Sequence, residues 1–309
     1  MARLFVAITD RDWYDVLSQQ APDEVNFWQP SGRFAFRALR PGGLLLFKLH
    51  ALDNVIVGGG VFSHGSLAPL SLTWEAFGTK NGAGSLPEMR LRIARYRRAA
   101  GPLDPRSDPV IGCRILTQPF FWPPTQWLPV PASFARAIVQ GKDYRTDEPE
   151  GRALWDAVTE RLAEGTDART ASPAVDLPRH GTPVLVRPRL GQGAFRLAVT
   201  DAYERRCAVS GERTLPILDA AHIRAFSEGG AHDPANGLLL RTDIHRLFDL
   251  GYVTVSGDHR FEVSTRLKAD FDNGRHYYEL HGQPVRPPRG GAPPSPDALR
   301  WRREERYRG

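Results

Sequence analysis

Cysteine is nearly absent. Cys113 and Cys207 are the only two in 309 residues, which excludes a disulfide framework and any zinc ribbon of the CxxC type. A reducing, cytoplasmic setting fits that scarcity. Long apolar runs are missing too: no segment approaches the ~20 residues a membrane-crossing helix needs. The opening MARLFVAITDRDWYDVL is broken by Arg3, Asp10, Arg11 and Asp12, unlike a secretory signal. The chain is therefore expected to be soluble, with no membrane partner. Lysine is scarce, whereas arginine is abundant. The formal net charge is +6 and the pI about 9.6. A basic, Arg-rich surface suits a polyanion, because guanidinium groups bind phosphate in a bidentate way and stay charged. A merely solvated basic surface would give the same charge.

Residues 1–148 read as a β-rich module. LFVAIT, GLLLFKL (43–49), NVIVGGGVF (54–62) and IGCRILTQPFFW (111–122) are short apolar runs bounded by turn residues, the pattern of buried strands. A short helix is expected over 13–19 and another over Leu86 to Arg98, the latter carrying Arg90, Arg92, Arg95, Arg97 and Arg98. Residues 150–164 have helical apolar spacing, and GTDARTASPAVDLPRHGTP after them reads as a linker. These place a helix and linker at 149–186. A second module begins near 187, with GAFRLAVTDAYERRC as its entry helix and WRREERYRG as a charged tail that suits a helix or disorder equally.

The chemistry is concentrated in RCAVSGERTLPILDAAHIRAFSEGGAHDPANGLLLRTDIHRLFDLGYVTV, residues 206–255. His222 ends a strand-like run. Asn236 follows a turn and precedes the apolar GLLL. His245 and Asp249 lie four apart in TDIHRLFD, which can open with Thr242 or Asp243 as N-cap. That spacing sets an imidazole and a carboxylate on one helix face, a natural hold for a divalent ion. His232, in a Gly-rich turn, reads as a loop residue, and His259, His276 and His281 as surface residues.

The order His222, Asn236, His245, within CAVSG, AAHI, NGLLL and DIHRLFD, resembles the HNH family of ββα-metal nucleases, above all the C-terminal domain of bacterial restriction-type endonucleases. The resemblance covers about residues 190–282 and implies a metal-dependent DNA endonuclease. It makes His222 the general base toward water and Asn236 the residue that locks the loop and orients it. His245 and Asp249 become ligands of one divalent ion, Mg or Mn, with Ni, Co and Zn as alternatives. Arg224, Arg241 and Arg246 become candidate DNA-phosphate contacts, although each also reads as an ordinary surface arginine. Many relatives carry a metal ligand just before the base, where this chain has Ala221. Asp219, two residues earlier, is the candidate substitute. A decayed, non-catalytic DNA-binding protein is the alternative that Ala221 raises. Cys207, without the family's other knuckle cysteines, reads as core.

The strand-and-glycine pattern PGGLLLFKL…NVIVGGGVF resembles the PUA-like superfamily (EVE, ASCH and SRA domains), small β-barrels that take a flipped base into an aromatic cavity. That resemblance implies a modification-dependent restriction enzyme acting on DNA with modified cytosine. Trp28, Asn26, Trp13, Tyr14 and Ser31 are the base-recognition candidates, against the alternative that most aromatics are core. A trigger other than a modified base, such as RNA, a backbone mark or a protein, stays open. One centre per chain cuts one strand, so a double-strand break needs a homodimer or two nicks. The expected architecture is α+β: an N-terminal PUA-like β-barrel module (1–148), a helical linker (149–186) and a C-terminal ββα-metal HNH nuclease domain with its tail (187–309).

Overall fold

The computed structural model describes residues 2–97, 104, 106–166 and 190–309. Arg98 and the expected linker from residue 167 to 183 lie outside the described residues. The chain folds as two units, Met1–Ala194 and Phe195–Gly309. No helix among the described residues is long and apolar enough to cross a membrane.

In chain order the first unit runs β1 (Arg3–Thr9), α1 (Arg11–Gln20), β2 (Glu24–Asn26), β3 (Leu44–Leu49), β4 (Val55–Pro69), α2 (Leu70–Phe77), α3 (Leu86–Tyr96), β5 (Val110–Phe121), β6 (Leu128–Pro129), β7 (Gly141–Arg145) and α4 (Pro149–Thr166). Its seven strands form one mixed sheet in the order β2-β5-β4-β3-β1-β7, with β6 paired to β4. Strands β1 and β3 are parallel; the other pairings are antiparallel. All six residues of LLLFKL are buried. Period-two alternation sends Leu45, Phe47 and Leu49 to one cluster with Trp13, Tyr14 and Leu17 of α1. Leu44 and Leu46 go to another with Leu154, Trp155 and Val158 of α4.

This departs from the expected barrel. The sheet path ends at β2 and β7, and no ladder joins those ends among the described residues. A strand apolar on both faces is one whose two faces are both covered, which is a layered sheet rather than a closed wall around one interior. The glycines of β4 serve the same packing. A Cβ on Gly58 would run into the Phe120 carbonyl, and one on Gly59 would come 2.7 Å from the Leu45 carbonyl.

Helix ends follow local chemistry. Asp10 caps α1 by accepting from Trp13 N at 2.7 Å. Ser85 caps α3, and Glu88 reaches back to Gly84 N at 2.9 Å. Three of the arginines of α3 and its C-cap are engaged, while Arg95 is exposed. Arg92 is buried on the Gly82 carbonyl, Arg90 donates to Ser107 O, and Arg97 holds the carbonyls of Pro30 and Val110.

The second unit contains α5 (Gln192–Ala202) from Phe195 onward, β8 (Leu218–His222), β9 (Gly237–Arg241), α6 (Thr242–Asp249), β10 (Val253–Val255), β11 (Phe261–Val263), α7 (Arg266–Phe271), α8 (Arg275–Tyr278) and α9 (Pro296–Glu305). Strands β8 and β9 pair antiparallel, His222 opposite Gly237 and Leu218 opposite Arg241, and α6 follows directly. One core gathers Phe195, Tyr203, Leu238, Leu240, Ile244, Phe248 and Phe261. The charged tail is helical as far as Glu305. Ser295 caps α9, and Leu299 and Arg302 are its buried residues.

Candidate active site

His222 closes β8 with its ring flat against Phe195, centroids 3.9 Å apart and planes at 12°. Its Nε2 lies 3.0 Å from Nδ1 of His232. Burial pushes the His222 pKa down to about 4, and positive charge at His232 and then His245 adds to the effect. At neutral pH the ring is therefore uncharged, as a proton acceptor must be.

Asn236 fastens the loop that follows. It is buried, donates from Nδ2 to the carbonyls of Arg224 and Ala231, both at 2.9 Å, and accepts at Oδ1 from Arg224 N at 3.0 Å. Its own carbonyl accepts from Ile223 N at 2.9 Å. Three of these bonds bind the turn before β9 to the two residues after His222, and the fourth ties it to Ala231. A Cβ on Gly237 would stand 2.5 Å from Val199 Cγ2 and 3.0 Å from the Phe195 ring. Only glycine leaves Phe195 room beneath His222.

The metal candidates come together around one imidazole. His245 presents Nδ1 to Asp219 Oδ2 at 3.5 Å and Nε2 to Asp249 Oδ2 at 3.4 Å. The two carboxylates sit on opposite ring nitrogens. Accordingly, no three His, Cys, Asp or Glu groups among the described residues converge as a metal cage. The donors suit a divalent ion in a looser way, as an imidazole plus one half-exposed carboxylate, with the other carboxylate orienting the ring. Ala221 is fully buried in the core.

The expected cap of α6 is absent. Thr242 donates its hydroxyl to Ile217 O at 3.0 Å, Asp243 pairs with Arg241, and no side chain caps the helix. That pairing, at 2.6 and 2.7 Å, neutralises Arg241. Arg224 lies over the Trp301 ring at 5.0 Å and donates Nε to Glu228 O. Arg246 is exposed, and its guanidinium has no partner among the described residues.

Two residues not singled out in the sequence complete this unit. One is His232. The other is Arg302, buried on α9, whose guanidinium donates to Ile223 O at 2.9 Å and to Phe248 O while lying over the Phe248 ring. It ties the His222 end of β8 to the helix carrying His245.

In the first unit, Trp13, Trp28 and Ser31 line a cavity of about 150 Å³ with Phe27, His50, Tyr96 and Arg114. Asn26 and Tyr14 are not in that lining. Asn26 is fully buried with Nδ2 on Asn81 Oδ1, and Tyr14 donates its hydroxyl to Trp122 O at 2.6 Å. Trp28 has spent its Nε1–H on Asn81 O. Arg114, missed in the sequence, is 4% exposed and sits against Phe36, Phe5 and Phe27. Gln29 Oε1 takes one of its donors, Nε has no partner, and no carboxylate pairs with it among the described residues. Burial pushes its pKa down to about 10.

Residues 207–256 match the family model described as HNH endonuclease. No curated protein matches the chain. Residues 207–256 of the C-terminal unit are thus similar to an HNH endonuclease domain, a kind of nuclease module that generally acts on DNA with a divalent metal ion.

Proposed function

We propose that the chain is a metal-dependent DNA endonuclease in which residues 187–309 cut and residues 1–148 select, joined through 149–186. The carrying observation is His222. Its Nε2 is engaged and its ring neutral, while Nδ1 has no hydrogen-bond partner among the described residues. Nδ1 takes the proton of the water that attacks phosphorus. Asn236 holds the backbone on either side of the loop, so the ring cannot swing away. His245 with Asp249 holds the ion, Asp219 steadies the opposite ring nitrogen, and the unpaired Arg246 meets a phosphate. A bound Mg²⁺ or Mn²⁺ supplies charge neutralisation for the phosphorane-like state and the departing oxygen.

The test is plasmid cleavage with Mg²⁺, Mn²⁺ or EDTA, by the wild type and His222→Ala. Metal-dependent cutting that the variant loses by 10²-fold or more is the expected outcome. Cutting that ignores EDTA, or survives the substitution, overturns it. DNA binding without cutting under every metal favours the non-catalytic alternative.

The cavity of the first unit supports a second element of this reading. Trp13, Phe27 and Trp28 give aromatic surface to this cavity of about 150 Å³, and Arg114, whose Nε has no partner, adds a cation suited to an acceptor-rich edge. We infer a base reader, with modified cytosine in duplex DNA as its target. Plasmids with unmodified, 5-methyl- and 5-hydroxymethylcytosine distinguish it: equal cutting of all three removes the base-reader role and leaves a nuclease triggered otherwise.

A further inference from the structure

His232 lies in the loop between β8 and β9, where a surface histidine would be expected to face water. Instead its Nδ1 meets His222 Nε2 at 3.0 Å. The two imidazoles cross at 61° with centroids 5.0 Å apart. Phe226 stacks on His232 at 4.5 Å and 7°, as Phe195 stacks on His222. Each imidazole thus has one face held by a phenyl ring. Phe226 is itself 63% exposed, a cost for a large apolar ring that its stacking on His232 explains. Asn236 grips the carbonyl of Ala231, the residue before His232, so the second ring is anchored by the same side chain as the first.

We propose that His232 is a positioning residue for hydrolysis: it accepts the Nε2–H of His222 and so holds His222 in the tautomer whose Nδ1 is bare toward water. The inference rests on the reading of His222 as the base. Only one proton fits between the facing nitrogens. When His222 donates, both rings carry their protons on Nε2, the commoner neutral form of histidine, and His222 Nδ1 is an acceptor. When His232 donates, the remaining proton of His222 occupies Nδ1 and the ring cannot act there. As water's O–H breaks, its proton goes to His222 Nδ1 and the hydroxide oxygen bonds to phosphorus. The P–O bond to the leaving oxygen breaks with its electron pair, and solvent protonates that oxygen. The His222 Nε2 proton stays between the rings, in a hydrogen bond that has become charge-assisted. A buried carboxylate does this work in a Ser-His-Asp triad; here a neutral imidazole does it.

The full chain is compared as wild type, His232→Ala, His232→Asn and His222→Ala, with thermal midpoints measured for each. Asparagine keeps an acceptor, Oδ1, near the place of Nδ1. The expected result is a kcat lower by roughly 10- to 100-fold in His232→Ala, KM within about twofold, and recovery of most of the loss in His232→Asn. Imidazole ¹⁵N NMR of the metal-free protein, which needs no turnover, should show His222 protonated on Nε2 in wild type and His232→Asn, and mixed in His232→Ala. Wild-type kcat in His232→Ala beside a dead His222→Ala overturns the inference and spares the base. Wild-type kcat in His222→Ala overturns the reading beneath it. An Nδ1–H tautomer of His222 in the wild type, or equal loss in both His232 variants, also overturns the inference.

Discussion

At His222 a single imidazole carries two pH dependences with a common cause. Burial, then His232 and His245, depress its pKa to about 4 from an ordinary 6.5. The free enzyme therefore keeps a neutral base well below neutrality, and kcat/KM should hold as pH falls through 6.5 and drop only toward 4. A fall centred at 6.5, measured with metal saturating at each pH, would assign the titration to another group. Stability follows the same group. Between pH 6.5 and 4 the unfolded chain binds a proton at this position that the native chain refuses, so stability should decline as pH falls through that window. His222→Gln should flatten that part of the midpoint-versus-pH curve. The acids around His245 separate differently. If Asp249 joins the ion and Asp219 steadies the ring, Asp249→Asn should raise the metal concentration for half-maximal cutting by about 10- to 100-fold. Calorimetric titration of the DNA-free protein with Mn²⁺ checks this. An unchanged titration would shift the ligand role to Asp219.

At the scale of elements, the hairpin β8–β9 and the two helices that brace it decide whether those side chains meet. Gly237 has φ −127°, which alanine adopts freely, so Gly237→Ala acts through crowding of Val199 and Phe195 alone. It should cost about 1–3 kcal/mol and lower kcat with it, read by denaturant unfolding and cleavage together. Arg302→Met leaves the Ile223 carbonyl without its buried donor, while Phe248 O keeps the backbone N–H of Gly251. It should cost about 1.5–3 kcal/mol, and unchanged stability would show that the Arg302 bonds contribute nothing. Why some of this was legible in sequence is a matter of range. Positions of β3, α1 and the β8–β9–α6 run follow from local periodicity and from His222, Asn236 and His245 in order. Phe195 and Arg302 reach the site from other parts of the chain and His232 from the β8–β9 loop, and no local pattern marks a lone Phe, a loop His or one Arg in a tail already rich in them. The α6 cap and the barrel failed for a related reason. Thr242 is drawn to the distant Ile217 carbonyl, and Asp243 is held by its neighbour Arg241 and by the Tyr277 hydroxyl, so neither caps the helix, and an apolar run cannot say whether its second face meets a helix or the far wall of a barrel.

For the whole molecule, the proposal assigns selection and cutting to separate units of the chain, so it requires them to be separable by substitution. Arg114 is the place to separate them. A buried guanidinium with an unpartnered Nε and no acid beside it among the described residues is a cost to the free protein that Gln29 and the phenyl rings offset in part and an arriving acceptor would offset further. Arg114→Met keeps the volume and removes the charge. The thermal midpoint should stay level or rise, and preference for one DNA over another should disappear. The metal and pH dependence of cutting, set by His222 and His245 in the other unit, should not move. A variant that loses stability as well as selectivity would mean that Arg114 is structural, held by Gln29 and the phenyl rings rather than waiting for a ligand. The same preparation tests assembly. One hydrolytic centre per chain opens one strand, so nicked circles should accumulate before linear DNA at low protein concentration. The ratio of second to first cuts should climb with concentration if two chains act together. A ratio that ignores concentration, at matched extents of nicking, would leave each chain cutting alone.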